Sequence, residues 1–315
     1  MIDIPASRSD PLSDFLRVAD AQLSVAGGFS AGGEWSLRFP PPAHLKFFAL
    51  VKGNCWLQIE GEAQPLWVRE SDVLILCSRR AFVLASDLSL TPLDAMQVFT
   101  GQTNERTATL GTGEDCIQLG GHVRLDPTSE ELAFRLLPPV MQVHAGSQQA
   151  ERLKWLLDQI VEERTQWRPG VGLVSAQLTQ LLFVQTMRAY LESTDALPCG
   201  WLRAASDKRL APVLGLMHNE PGRPWQLGEL AKAAGMSRTS FAVHFKSITG
   251  IPALAYLSEW RMLLAQQALR SRDVNMAALA SELGYASESA FSNAFKRVTG
   301  TAPRHYRKQW RDTAQ

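Results

Sequence analysis

The sequence predicts a multidomain α+β chain: an N-terminal antiparallel β-barrel, a helical hairpin, and a C-terminal all-α domain whose two helix-turn-helix motifs are joined by a linker helix. Three observations carry this. Between residues 35 and 125 the apolar residues come in short or alternating runs; from about Ser147 their period turns helical; and near the C-terminus one stretch is written twice. Residues 235–250 read GMSRTSFAVHFKSITG and residues 284–300 read GYASESAFSNAFKRVTG. Ser237, Phe241, Phe245, Lys246 and Thr249-Gly250 return in order as Ser287, Phe291, Phe295, Lys296 and Thr299-Gly300. The second copy carries one extra residue in its turn.

At 315 residues the prior is about two domains, each able to bury a core. Charged residues make up 20% of the chain, and no apolar run nears the roughly 18 residues of a membrane span. The opening MIDIPASRSDPLSDFL has no basic stretch followed by an apolar one, so no signal peptide is expected. Cys55, Cys77, Cys116 and Cys199 are scattered without a CxxC pair, which argues against a zinc site and suits a reducing cytoplasm. A net charge of +1 hides a split. From Lys208 onward there are 15 Lys+Arg against 7 Asp+Glu, and before it 17 against 24. A basic end on an acidic body suits a polyanionic partner, although a solvated charged face would look the same.

The elements follow in order. WSLRFP, KFFALVKG, CWLQIEG, PLWVRESDVLIL, AFVLASD and CIQLGGHVRL read as strands separated by Gly, Pro, Asp and Asn. Strands at such spacing favour an antiparallel sandwich or barrel, placed at residues 1–145. Leu153, Leu156, Leu157, Ile160 and Val161 fall at i, i+3, i+4, i+7 and i+8, and Leu178, Leu181, Leu182 and Met187 mark a second helix after RPGVG. This hairpin, 146–193, suits either a cover for the barrel or a dimer interface. ESTDALPCGWLRAASD, residues 192–207, reads as a linker, bounded at 194–207, with Asp207 as an N-cap for the next helix. Residues 208–315 read as the helical domain.

Each copy of the repeat obeys one physical logic. In the first, a helix from Leu227 to Ala234 closes at Gly235, and Ser237 stands where its hydroxyl would cap a second helix. Phe241, Phe245 and Ile248 form one buried face, as Phe291, Phe295 and Val298 do in the second copy. Thr239, Ala242, Val243 and Lys246 are left outward, as are Glu288, Ser289, Ser292 and Asn293, with Lys296 and Arg297 near the helix end. That is a helix-turn-helix, whose second helix can enter a major groove of double-stranded DNA. Between the copies, Ala253–Arg270 should form one helix with Leu254, Leu257, Leu264 and Leu269 on its apolar side, roughly 27 Å long. With the flanking helices, the two reading heads could lie about 34 Å apart, one turn of B-DNA.

Residues 208–310, through LAKAAGMSRTSFAVHFKSITGIPALAYL and LASELGYASESAFSNAFKRVTGTAPRHYR, resemble the DNA-binding domain of AraC/XylS-family transcription regulators. Residues 10–145, through DPLSDFLR, LVKGNCWLQIEG and LPPVMQVH, are similar to the cupin-like sensor domain that precedes it in one branch. The resemblance implies base reading by Thr239, Ala242, Val243, Ser289, Ser292 and Asn293, and backbone contacts by Lys246, Lys296 and Arg297. Arginine is frequent in the family where this chain has Val243, so the first helix would read bases mainly through thymine methyls.

For the sensor half the expectation is a pocket for a small organic effector, lined by Phe47, Phe48, Trp56, Trp67 and Phe82, although these aromatics could equally fill the barrel. Cupin enzymes hold a metal with two or three His and a Glu, whereas AHLKFFALVKG offers only His44, and His122 and His144 stand alone in sequence. No metal, cofactor or catalysis is therefore expected. The alternatives are a thiol-based trigger at Cys55 and Cys77, or a cupin-type metalloenzyme. The resulting expectation is a cytoplasmic, homodimeric, effector-gated transcription regulator whose partners are promoter or operator DNA and RNA polymerase.

Overall fold

The computed structural model describes residues 10–19, 22–99, 108–125, 130, 133–134, 137–146, 149–166, 168–193, 200–271 and 274–313. The chain packs as two compact units. One holds Ala21–Leu125 and Glu130–Ala196; the other holds the N-terminal residues to Asp20 together with Leu197–Gln315.

The first unit is built on eleven described strands: β1 Gln22–Ala31, β2 Ser36–Phe39, β3 Leu45–Lys52, β4 Asn54–Ile59, β5 Leu66–Arg69, β6 Val73–Leu76, β7 Phe82–Ala85, β8 Leu93–Asp94, β9 Ala108–Leu110, β10 Cys116–Arg124 and β11 Val140–Val143. They form a six-stranded sheet in the order β11-β6-β3-β10-β1-β9 and a five-stranded sheet in the order β5-β4-β7-β2-β8. The barrel expected from sequence is thus two facing sheets that do not close. Most pairs are antiparallel, but β9 runs parallel to β1 and β8 parallel to β2. Strand alternation sends Phe48, Leu50, Cys55, Leu57, Ile59, Leu74, Leu76, Phe82 and Leu84 into one shared core. Buried Asp72 fastens β11 to this core: its carboxylate accepts from Gln142 Nε2 at 2.9 Å and from the Ala145 amide at 2.8 Å.

A short helix, α2 (Ala95–Phe99), follows β8. The expected hairpin is α3 (Ala150–Gln166) and α4 (Val171–Ser193), which pack on each other while α4 also packs on β1 and β11. Leu153, Leu156, Leu157 and Ile160 are buried as their spacing requires, but Trp155 is 56% exposed and Leu181 44%.

The second unit is helical. It contains α1 (Pro11–Val18), α5 (Trp201–Ser206), α6 (Leu210–Asn219), α7 (Leu227–Ala233), α8 (Arg238–Thr249), α9 (Ala253–Ser271), α10 (Met276–Glu282), α11 (Glu288–Thr299) and α12 (Pro303–Thr313). Several features differ from the sequence reading. Helix α1, placed by sequence in the 1–145 domain, packs on α5, α6 and α9. Residues 201–206, placed in a linker, form α5, with Trp201, Leu202 and Ala204 buried. The N-cap position of α6 is Arg209 and not the expected Asp207, whose carboxylate still accepts from the amides of Arg209 and Leu210 at 2.9 Å each. The apolar side of α9 is also set differently: Tyr256, Leu257, Trp260, Leu263 and Leu269 are buried, Leu264 only partly, and Leu254 is 45% exposed.

Candidate nucleic-acid interface

The repeated sequence folds twice into the same local structure. Helix α7 ends at Gly235, whose φ of 63° is the left-handed geometry that glycine adopts without a Cβ penalty. The Met236 amide then reaches back to the Ala231 carbonyl at 2.9 Å. In the second copy α10 ends at Gly284, φ 76°, and the Tyr285 amide reaches the Ala280 carbonyl at 2.8 Å. Ser237 Oγ accepts from the Ser240 amide at 3.2 Å and Ser287 Oγ from the Ala290 amide at 3.1 Å, so both second helices are capped as the spacing predicts.

The recurring Thr-Gly closes each reading helix. The Thr249 hydroxyl lies 2.8 Å from the carbonyls of Phe245 and Ile251 and accepts from the Ile251 amide; Thr299 repeats this with Phe295 and Thr301. Phe241, Phe245, Phe291 and Phe295 are fully buried. Val298 departs from the expected pattern: it is exposed, whereas its counterpart Ile248 is buried.

With those residues inward, one face of each second helix is left open. On α8, Thr239, Val243 and Lys246 are exposed and Ala242 half-buried; on α11, Ser289, Asn293 and Lys296 are exposed and Ser292 half-buried. The two sets share the offsets i, i+3, i+4 and i+7. Val243, at 66% exposure, is a large apolar side chain presented to solvent on the helix that should meet bases. Arg297 is also exposed.

Sequence reasoning missed Arg238 and His244 on this face, and the partner of Glu288. Arg238, exposed on the first turn of α8, was there to be read beside the Ser237 cap. His244, half-buried on α8, is paired with Asp207 at 3.0 Å. Glu288, on the first turn of α11, pairs with Arg304 of α12 at 2.9 Å.

The two motifs also touch each other. A Cβ built on Gly222 would fall 2.2 Å from the Glu282 carbonyl oxygen, and one on Gly284 would fall 2.2 Å from the Gly222 carbonyl oxygen. Arg261 of α9 braces the same place: Nε donates to the Pro221 carbonyl at 2.6 Å and Nη2 to the Arg223 carbonyl at 2.9 Å. Its guanidinium also lies 5.8 Å from the Tyr285 ring centroid. The turn before the first motif is therefore held backbone-to-backbone against the turn inside the second.

In the sandwich unit the expected pocket residues divide. Phe48 and Phe82 enter the core between the sheets. Phe47, Trp56 and Trp67 do not: alternation puts them on the opposite faces of their strands, and Trp56 and Trp67 pair there across β4 and β5 with centroids 4.6 Å apart. The cysteines divide too. Cys77 is fully buried and its thiol is pushed up by burial. Cys55 instead meets Cys116, which accepts its thiol hydrogen and pushes the Cys55 thiol up. Neither Cys55 nor Cys77 is presented as a thiolate, which is the form an oxidant attacks. Among the described residues no group of three His, Cys, Asp or Glu is arranged to hold a metal ion. No described helix is long and apolar enough to cross a membrane.

A tandem helix-turn-helix unit in a chain that also carries a two-sheet sandwich of this kind defines a DNA-binding transcription regulator. Residues 10–192 match a family model described as cupin, and residues 230–309 one described as a helix-turn-helix domain. The chain belongs to the AraC family of transcription regulators, with a cupin domain as its regulatory half, and is not an enzyme. A putative AraC-like transcription regulator of Streptomyces antibioticus is 36% identical over 299 residues, covering 95% of this chain and 98% of its own. The transcriptional regulator AlkR of Acinetobacter baylyi is 29% identical over 88% of this chain and 92% of its own. Among solved structures, the DNA-binding domain of AdpA in complex with a target DNA is 31% identical, covering 34% of this chain and 96% of that one, with a TM-score of 0.33. ToxT from Vibrio cholerae covers 91% of this chain and 96% of that one at 12% identity, with a TM-score of 0.37.

Proposed function

We propose that this regulator reads promoter or operator DNA with α8 and α11 in successive major grooves, under the control of a small organic effector bound by the cupin unit. The observation that carries the DNA half is the matched pair of open faces, set at identical offsets on two identically capped helices. Thr239, Ala242, Val243, Ser289, Ser292 and Asn293 read base edges; Lys246, Lys296, Arg297 and the added Arg238 hold phosphates. A phosphate contact positions the protein without carrying sequence information, whereas a good base contact is worth about 1–3 kcal/mol of discrimination. Asn293→Ala should therefore lose discrimination at one or two base pairs, and Lys296→Ala should weaken all sequences alike. Competition binding across a panel of operator variants separates the two, and mutants that behave identically would refute the division of roles. If about six counterions are released, affinity should fall roughly 10³-fold between 50 and 200 mM salt.

The chain acts in this reading as a cytoplasmic homodimer, with RNA polymerase as its target at the promoter. The exposed Trp155 and Leu181 on the α3–α4 hairpin, beside Leu156 and Gln185, support self-association there. Trp155→Glu should shift the mass in solution to that of the monomer. An unchanged mass would remove the hairpin as the interface.

A further inference from the structure

At one end of the sandwich the interior stops being apolar. Alternation along β3 puts Lys46 on the same face as the core residues Phe48 and Leu50. Its direct partner on β10 is His122, on the same side as Gln118 and Cys116. An ammonium and an imidazole thus take two adjacent places in an inward-facing row whose other members are mostly apolar.

Lys46 meets aromatic rings and not an acid. Lys46 Nζ lies 5.2 Å from the Phe39 ring centroid and 5.7 Å from that of Phe82, and those rings stack at 4.8 Å and 7°. Among the described residues no carboxylate pairs with it, and burial pulls its proton affinity down. His122 Nδ1 is buried without a hydrogen-bond partner. Next to His122, His44 is already engaged: its ring lies 6.4 Å from that of His122, and its Nδ1 is 2.9 Å from buried Glu130. A buried charge or imidazole nitrogen left this way is costly, and the cost is removed when an acceptor arrives.

The missing partner is defined by what is there. It must accept from an ammonium and from an imidazole N–H side by side, which suits the two oxygens of a carboxylate. One unpaired cation matches a single negative charge. The walls beside it are Phe39, Phe82 and the half-exposed Phe99, whose ring lies 6.1 Å from that of Phe39, so the rest of the ligand is apolar. We infer that this end of the cupin unit binds the carboxylate of a small aryl or alkyl acid, with Lys46 and His122 each donating to one carboxylate oxygen.

The inference gives the effector reading above a chemical class, and its test is separable from that reading. The full-length protein is titrated with phenylacetate and hexanoate, and with phenethyl alcohol and hexanol as uncharged counterparts, by calorimetry and by melting temperature. A carboxylate should bind one per chain and raise the melting temperature, while its alcohol should not. Lys46→Met should weaken carboxylate binding about tenfold or more, as loss of a charge-assisted hydrogen bond does, and Lys46→Arg should restore part of it. His122→Gln should weaken it less. Each variant is compared with its own unliganded melting temperature, so a change in fold stability does not pass for a change in binding. Carboxylates that fail to bind at millimolar concentration, that bind no better than the alcohols, or that bind Lys46→Met unchanged would overturn the site. DNA affinity measured in the same samples addresses the other question. Carboxylate binding that leaves DNA affinity unchanged upholds the site and sinks effector gating; gating by an uncharged compound alone does the reverse.

Discussion

His122 carries its environment as a pKa. Burial, with the nearby charges of Lys46, His44 and Arg124, lowers it to about 4, so it is neutral near pH 7. An unfolded histidine titrates near 6.5. As pH falls through 6.5 the unfolded chain takes up a proton that the folded sandwich refuses until about pH 4. Stability is therefore lost across that window; the full shift would carry roughly 3 kcal/mol, and solvent screening of this partly exposed imidazole leaves less than that. His218 in the helical unit is also lowered, by burial, with Asp14 opposing, and it acts with the same sign. Subtracting the melting curve of His122→Gln from that of the native chain between pH 7 and pH 4 should isolate the His122 share; parallel curves would show that it has none. The same residue marks where sequence reading stopped. His44 and His122 stand alone along the chain, and only the β3–β10 register brings their rings to 6.4 Å and sets Lys46 opposite His122. Trp56 and Trp67 were misplaced for a different reason. CWLQI alternates, so Cys55, Leu57 and Ile59 share one face and Trp56 must take the other, a conclusion aromatic content alone does not reach.

At the scale of the element, the repeat made the caps legible in advance: a glycine that must turn left-handed, a serine that must cap, two phenylalanines that must face inward. It could not show that the copies are inequivalent at their glycines. Gly235 and Gly284 both have positive φ, but a Cβ on Gly235 meets nothing within 4 Å, whereas one on Gly284 meets the Gly222 carbonyl oxygen at 2.2 Å. Gly235→Ala should cost only the left-handed penalty, about 1–2 kcal/mol. Gly284→Ala must in addition push two turns apart, and should destabilise the helical unit by roughly twice as much or more, as read from denaturant unfolding. Equal losses would mean the second turn yields freely. Gly222→Ala tests the same contact from the other side, without a positive φ. It should weaken binding to DNA carrying both half-sites while leaving a single half-site bound as before, because the residue touches spacing and not reading. Nothing in EPGRP announced this. A Pro-Gly-Arg-Pro turn reads as a plain connection until the second motif is seen lying on it.

At the scale of the whole molecule, the charge split, the change of period and the repeat were enough to divide the chain into a strand-rich half and a helical half, but not to find the ends of the helical unit. ESTDALPCGWLRAASD is polar enough to pass for a linker, and the six-residue helix inside it is too short to show a period. Yet α5 buries Trp201 and Leu202 in the helical unit, and the Gly200 amide donates to the Ile248 carbonyl at 2.8 Å. Helix α1 completes the same core from the far end of the sequence. Phe15 packs on Trp201 with centroids 4.9 Å apart, and Asp14 lies 3.3 Å from His218 Nδ1. The other ring nitrogen of His218 is 2.7 Å from the Tyr256 hydroxyl, and Trp260 stacks on the imidazole at 3.8 Å. A DNA-binding fragment cut at Lys208, the boundary the sequence suggests, keeps the contacts of His218 with Tyr256 and Trp260 but loses α1 and α5, and with them the Trp201, Leu202, Phe15 and Asp14 contacts. Burying one large apolar side chain stabilises by about 1.5–3 kcal/mol, so removing Trp201 and Leu202 should unfold or severely weaken the fragment. A fragment from Leu197 should melt higher and bind DNA, and adding residues 10–19 as a peptide should raise its melting temperature further. Asp14→Ala in that peptide should cancel much of the gain, because His218 is then left without its acidic partner. The deciding measurement is the melting temperature and DNA affinity of the two fragments side by side: if the one starting at Lys208 matches the one starting at Leu197 in both, α5 is a linker after all and the core of the helical unit begins at α6.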